Sequence, residues 1–178
     1  MNKNEVAVFG GGCFWCTEAI FQQLKGVVSV TPGYAGGHKV NPTYNEVSTG
    51  MTGHAEVNRI EFDASIVPYE DLLEIFMHLH DPTTLNRQGY DVGSQYRSII
   101  LYTSDQQKKA AEKELLALNA AKEFKRPIVT EIKPLEKFYE AEDYHKNYYA
   151  NNTEKPYCQL IISPKLTHLR QKYSNKLK

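Results

Sequence analysis

Cys13 and Cys16 lie three residues apart in the stretch FGGGCFWCTEAIF, Phe9 to Phe21. They enclose Phe14 and Trp15, the single tryptophan, and follow three glycines. A Cys-x-x-Cys pair suits redox exchange or half of a zinc site. Cys13 also stands where a short strand, EVAVFG, gives way to a helix, CTEAIFQQLK, that Gly26 is expected to stop. The first amides of a helix have no intrahelical partner, and the positive end of its dipole lies there. A thiol at that point is expected to favour the thiolate over the thiol, whose reference pKa is about 8.5. The glycines before it are expected to let a substrate or a second thiol approach closely.

Other chemistries compete for these residues. Zinc would need two further ligands, drawn from Cys158 and one of His38, His54, His78, His80, His145 or His168. No second Cys-x-x-Cys and no His-x(3–5)-His pair supplies them. A cysteine hydrolase would need a histidine base oriented by Asn or Asp, and the scattered histidines leave that open. A phosphate cradle is disfavoured, because no Lys-Ser/Thr follows the glycines and Phe14-Trp15 is bulky.

The elements that must position the thiols follow from periodicity. VVSVTPGY reads as a second strand ending at Pro32-Gly33, and HAEVNRIEFD as a third. PYEDLLEIFMHLH is a helix opened by Pro68, with Leu72, Leu73, Phe76 and Leu79 inward. YRSIILYT and PIVTEIK read as strands, separated by a helix from Asp105 to about Phe124 that Ser104 caps. KFYEAEDYHKNYY reads as a tyrosine-rich helix, and SPKLTHLRQKY as a last helix with its own cap and Pro. Residues 35–53 and DPTTLNRQGYDVGSQ read as long loops, which in a folded domain are often functional. The first six elements run βαββαβ. That order predicts an α/β (α+β) fold, a two-layer ferredoxin-like plait with appended helices and long loops.

Global properties narrow the function. A chain of 178 residues predicts one domain, spanning 1–178, with a core that needs no disulfide framework. Lys+Arg and Asp+Glu balance at 21 each, so neither nucleic acid nor an anionic membrane is an expected partner. No apolar run approaches the roughly 20 residues that span a bilayer. The opening MNKNEVAVFGG has no signal-peptide pattern, so the expected address is cytoplasmic. Three cysteines there are expected to rest as thiols.

GGCFWCTE resembles the active-site signature of the A-type peptide methionine sulfoxide reductases. The similarity continues in order through GYAGGHKVNPTYNEVSTGMTGHAE, DPTTLNRQGYDVGSQYRS, FYEAEDYHKNYY and KPYC, from about residue 9 to 158. It implies a two-layer α/β plait with extra elements, in agreement with the element order above.

By that resemblance, Cys13 is the nucleophile that attacks the sulfoxide sulfur. Phe14 and Trp15 form an aromatic wall for the ε-methyl, where sulfur–aromatic contact adds about 0.3–1.5 kcal/mol. Glu56 matches the acid that protonates the sulfoxide oxygen, a task for a buried carboxyl with a raised pKa. Tyr44 and Tyr96 match tyrosines that hydrogen-bond that oxygen, and Asp91 matches an aspartate that orients groups through a polar network. Attack leaves Cys13 as a sulfenic acid. Cys158 matches the resolving cysteine, with Cys16 as an alternative where many members have glycine. No cysteine follows Cys158. The resemblance implies free and protein-bound methionine-(S)-sulfoxide as substrates and no metal or organic cofactor. It implies thioredoxin or another dithiol as external reductant, and a monomer is expected.

Overall fold

The computed structural model describes residues 3–178. Its strands are β1 (Asn4–Gly10), β2 (Val27–Ala35), β3 (Ala55–Asp63), β4 (Arg87–Gln88), β5 (Asp91–Val92), β6 (Ile99–Tyr102), β7 (Glu131–Pro134) and β8 (Phe138–Glu140). The helices are α1 (Phe14–Phe21), α2 (Tyr44–Ser48), α3 (Tyr69–His78), α4 (Asp105–Ala120), α5 (Tyr148–Asn151) and α6 (Ser163–Lys172). Six strands form one mixed sheet in the order β7-β6-β1-β3-β2-β8, and β4 pairs with β5 as a separate hairpin. Only β6 and β7 run parallel.

Alternation along the central strands sorts the core into two layers. Ala7, Phe9, Ile60, Phe62 and Ile100 face α1, α3, α4 and α6. Val8, Ala55, Val57, Ile99 and Leu101 face the opposite side, beneath Leu135 and Phe138. The helices therefore cover one face, as the βαββαβ order predicts. Leu72, Leu73, Phe76 and Leu79 are buried as their spacing requires, and Ser104 accepts the Gln107 N–H to cap α4.

Several elements differ from their sequence reading, among them the stretch DPTTLNRQGYDVGSQ, read as a loop, which holds the β4–β5 hairpin. The expected tyrosine-rich helix is absent: Phe138–Glu140 is the edge strand β8, Asp143–His145 a single 3₁₀ turn, and only Tyr148–Asn151 is α-helical. Phe138 and Tyr139 find partners on β2, and the Phe138 ring lies so close to Gly33 that no β-carbon fits there. Asn147, at φ +54°, then breaks any continuous helix.

β2 runs past Pro32 to Ala35. β8 pairs only with Gly33–Ala35, and Pro32, which has no N–H to give, joins that edge by accepting the Ala141 N–H at 2.9 Å. Loop 35–53 contains α2, started by a reciprocal capping box between Thr43 and Glu46. At the C-terminal end, Ser163 is the first residue of α6 and not its cap. The chain is already helical through a π turn, Cys158–Ile162, that runs into α6.

Candidate active site

β1 ends at Gly10, and a tight turn delivers Cys13 to the N-cap of α1. The glycines make this turn possible. Gly12 has φ +92°, and its N–H donates to the Tyr96 carbonyl at 3.2 Å. A β-carbon on Gly11 would strike His80 and Phe76. Their job is close packing of the chain on itself, not the open approach for substrate that the sequence suggested.

Cys13 is 7% exposed, and Cys16 follows one turn into the helix, its N–H donating to the Cys13 carbonyl at 3.1 Å. The Trp15 N–H does pull the Cys13 thiol down, as a free helix-end amide should. Burial outweighs it, joined by the Cys16 and Glu56 side chains, and Cys13 is held well above the ordinary thiol range. The helix-end pull toward the thiolate expected at Cys13 is therefore outweighed by burial. The bond from Cys13 lowers Cys16, with help from Lys165 and the Tyr157 hydroxyl, so the pair carries its charge on Cys16.

β3 lies antiparallel beside β1, with Phe9 opposite Asn58. On the face of β3 that turns to the helices, Ile60 and Phe62 give way to Asn58 and Glu56. Glu56 is 1% exposed and accepts the Phe14 N–H at 3.1 Å, while Asn58 Nδ2–H donates to the Phe14 carbonyl at 2.9 Å. Burial pushes the Glu56 carboxyl up to about 8, against the pull of that N–H, so it is mostly protonated at neutral pH.

Tyr44 opens α2, and its N–H donates to Glu142 Oε2 at 3.0 Å. Tyr34 donates its hydroxyl to the other oxygen of Glu142 at 2.9 Å. Tyr96 closes the 3₁₀ turn Ser94–Tyr96. Burial raises both phenols, that of Tyr44 to about 12, and nearby Glu56 and Cys13 add to the rise. The two hydroxyls therefore remain donors beside the thiol and the acid. Asp91, on β5, accepts the Tyr157 hydroxyl at 2.7 Å, and that hydroxyl lies 3.8 Å from the sulfur of Cys16.

The aromatic residues divide. Phe14 is 1% exposed, packed against the rings of Tyr34 and His145. Trp15 is half-buried and stacks on Tyr148 with ring centroids 3.6 Å apart. Cys13 opens on a cleft of about 720 Å³ between the β4–β5 hairpin and residues 156–161. Cys158, by contrast, is fully buried at the start of the π turn, and all three cysteines are free. Cys13, Cys16, Glu56, Tyr44, Tyr96 and Asp91 thus gather near the α1 N-terminus, and Cys158 is buried in the same core cluster as Cys13 and Cys16.

Sequence reasoning missed Asn58, Glu142, His145 and Tyr157. Asn58 had a signal, the polar switch on the inward face of β3. The other three come from 3₁₀, helical and loop segments more than 80 residues from the turn, which no periodicity connects to it. Among the described residues, no group of three or more His, Cys, Asp or Glu is placed to hold a metal ion.

A thiol pair, a neutral buried carboxyl and two phenol donors around an aromatic ring suit reduction of a small polar S=O group beside a methyl. A family model described as peptide methionine sulfoxide reductase matches residues 5–177. The chain belongs to that family. It is an oxidoreductase, a peptide-methionine (S)-S-oxide reductase. The peptide methionine sulfoxide reductase MsrA of Saccharolobus solfataricus is 56% identical to it over 98% of the chain and 97% of that protein. The protein of the same name in Sulfolobus acidocaldarius is 59% identical, over 97% of each. Among solved structures, reduced Mxr1 from Saccharomyces cerevisiae is 31% identical over 88% of this chain and 90% of that one, with a TM-score of 0.80.

Proposed function

We propose that the enzyme reduces methionine-(S)-sulfoxide, free or within proteins, by attack of the Cys13 sulfur on the sulfoxide sulfur. The observation that carries the mechanism is the buried Glu56 carboxyl, held by the Phe14 N–H next to Cys13 and pushed up to about 8 by burial. Oxide is a poor leaving group from sulfur, so its oxygen must be protonated as the S–S contact forms. Glu56 supplies that proton, and the Tyr44 and Tyr96 hydroxyls hold the oxygen in place. Cys13 releases its own proton toward Cys16, its hydrogen-bond partner. The methyl lies on the Trp15 indole, with Phe14 as the buried support behind it. The products are methionine and a Cys13 sulfenic acid, the oxygen having moved from substrate to enzyme.

A second thiol condenses with the sulfenic acid, releasing water and forming a disulfide. Cys16 stands one helical turn from Cys13, its N–H on the Cys13 carbonyl at 3.1 Å, and this closeness favours Cys16 for the first closure. Cys158 then acts as a second resolving thiol, reached when the π turn opens, since π turns are locally weak and recur at functional sites. Asp91 holds the Tyr157 hydroxyl that faces Cys16. A dithiol such as thioredoxin returns the electrons. Mxr1 from Saccharomyces cerevisiae has been solved in complex with Trx2, which supports that partner.

The strand order β6-β1-β3-β2, antiparallel throughout, supports reading the core as a ferredoxin-like plait with β7 and β8 added at its edges. Among the described residues, no helix is long and apolar enough to cross a membrane, and thiol chemistry of this kind fits a cytoplasmic address. The test is consumption of the two resolved epimers of methionine sulfoxide with dithiothreitol as reductant. Loss of the S epimer alone is the expected result. Disulfide exchange without sulfoxide turnover would replace this reading with a general dithiol oxidoreductase.

A further inference from the structure

Trp15, Glu18 and Gln22 stand at i, i+3 and i+7 along α1 and its C-cap, one face of the helix. All three grip the same short segment, residues 145–148. The Trp15 Nε1–H donates to His145 Nδ1 at 3.0 Å, and the indole lies flat on Tyr148 with 6° between the planes. Glu18 is 1% exposed and accepts the backbone N–H groups of Asn147 at 3.1 Å and Tyr148 at 3.3 Å. Gln22 Nε2–H donates to Asn147 Oδ1 at 2.8 Å.

Asn147 adopts a left-handed conformation, φ +54° and ψ 34°, at the point where the chain turns Tyr148 back toward Trp15. Such a conformation costs free energy in a residue with a side chain, so the surroundings must hold it. The Glu18 side chain is well suited to that task, because a carboxylate accepts at both oxygens and two adjacent amides face it. The proposed chemistry makes no use of this buried acid.

We propose that Glu18 is a positioning residue for the substrate wall: through the Asn147 and Tyr148 amides it locks the Tyr148 ring onto Trp15 and His145 onto the indole N–H. The indole face offered to the sulfoxide methyl is thereby fixed before substrate arrives. This rests on Trp15 being the wall for the methyl.

Glu18→Gln is the sharpest test, since the amide keeps one acceptor and turns a donor toward the second N–H. Trp15 is the only tryptophan, so its emission reads the stack directly and independently of turnover. The expected result is a changed emission, with KM for methionine-(S)-sulfoxide raised about tenfold and kcat held within about threefold, as for lost binding. Tyr148→Ala should raise KM similarly, and the double variant should be no worse than Tyr148→Ala alone, because both act through one contact. Gln22→Ala, at the outer end of the stripe, should move emission and KM in the same direction by less, which keeps the test open if Glu18→Gln does not fold. Unchanged emission in the folded variant, or additive losses in the double variant, would overturn the proposal. A changed emission with an unmoved KM would overturn it too. If Trp15→Ala also left KM unmoved, the wall itself would be the reading that failed.

Discussion

Replacing Glu56 with Gln should cost activity and raise stability, and the pH dependence of the second effect follows from the site. Burial holds the Glu56 carboxyl up at about 8, against an ordinary value of 4.5. Between those values the folded chain keeps a proton that the unfolded chain has released. Stability from this group is therefore full below the unfolded value, falls as pH rises across the window, and levels off above the folded one. At about 1.36 kcal/mol per pH unit, the loss between pH 4.5 and pH 7 is about 3 kcal/mol. Gln mimics the protonated acid: its carbonyl still accepts the Phe14 N–H, and it has no charge to bury. The variant should match the wild type near pH 4.5 and exceed it by about 3 kcal/mol at pH 7. Urea unfolding at a series of pH values, followed by Trp15 emission with a phosphine reductant present, measures the difference. Single-turnover release of methionine should meanwhile fall by about 10²–10⁴-fold, the usual contribution of a general acid. Stability curves that stay parallel at every pH would refute a carboxyl held neutral by burial, and with it the proton donor.

The remaining predictions concern the thiols and the pocket. One equivalent of sulfoxide added to reduced protein, followed by non-reducing peptide mapping, should give a Cys13–Cys16 bridge first in wild type and in Cys158→Ser; an early Cys13–Cys158 bridge would reverse the order. Tyr157→Phe removes a hydroxyl that lowers the Cys16 thiol, so the pH profile of Cys16 alkylation should move to higher pH; an unmoved profile removes Tyr157 from the thiol network. The R epimer should be left essentially untouched, because exchanging oxygen and methyl strands the oxygen on the indole with its hydrogen bonds unmade, a loss of about 1–3 kcal/mol for each buried partner. Equal turnover of the two epimers would contradict this placement.

Much of the molecule was legible in one dimension because its signals are local. The βαββαβ order, the inner face of α3 and the Ser104 cap each depend on residues within a few positions of one another. The segments resembling the family also pointed to Cys13, Trp15, Glu56 and the two tyrosines, whose roles are proposed above. Where local signals conflicted, the reading failed. Residues 137–149 carry helical spacing, yet Phe138 and Tyr139 pair with an open sheet edge and Asn147 turns left-handed. A strand at an edge is chosen by its neighbour, and the neighbour β2 lies about 100 residues earlier.

The sequence by itself determined which groups could react, and roughly where each stood on a strand, helix or loop. Only the tertiary structure decided their protonation and their partners. Helix-end logic predicts a thiolate at Cys13, but desolvation and a carboxyl from the adjacent strand reverse that, and the pair charge falls to Cys16. Nothing in the local pattern of its strand marks Glu56 as buried; β3 turns it inward beneath α1. Cys158, near the end of the chain, lies buried in a π turn within the same core cluster as Cys13 and Cys16. The physical reason is common to all three: a pKa and a reactive contact depend on what removes water from a group, and those neighbours are brought by the fold from distant parts of the chain.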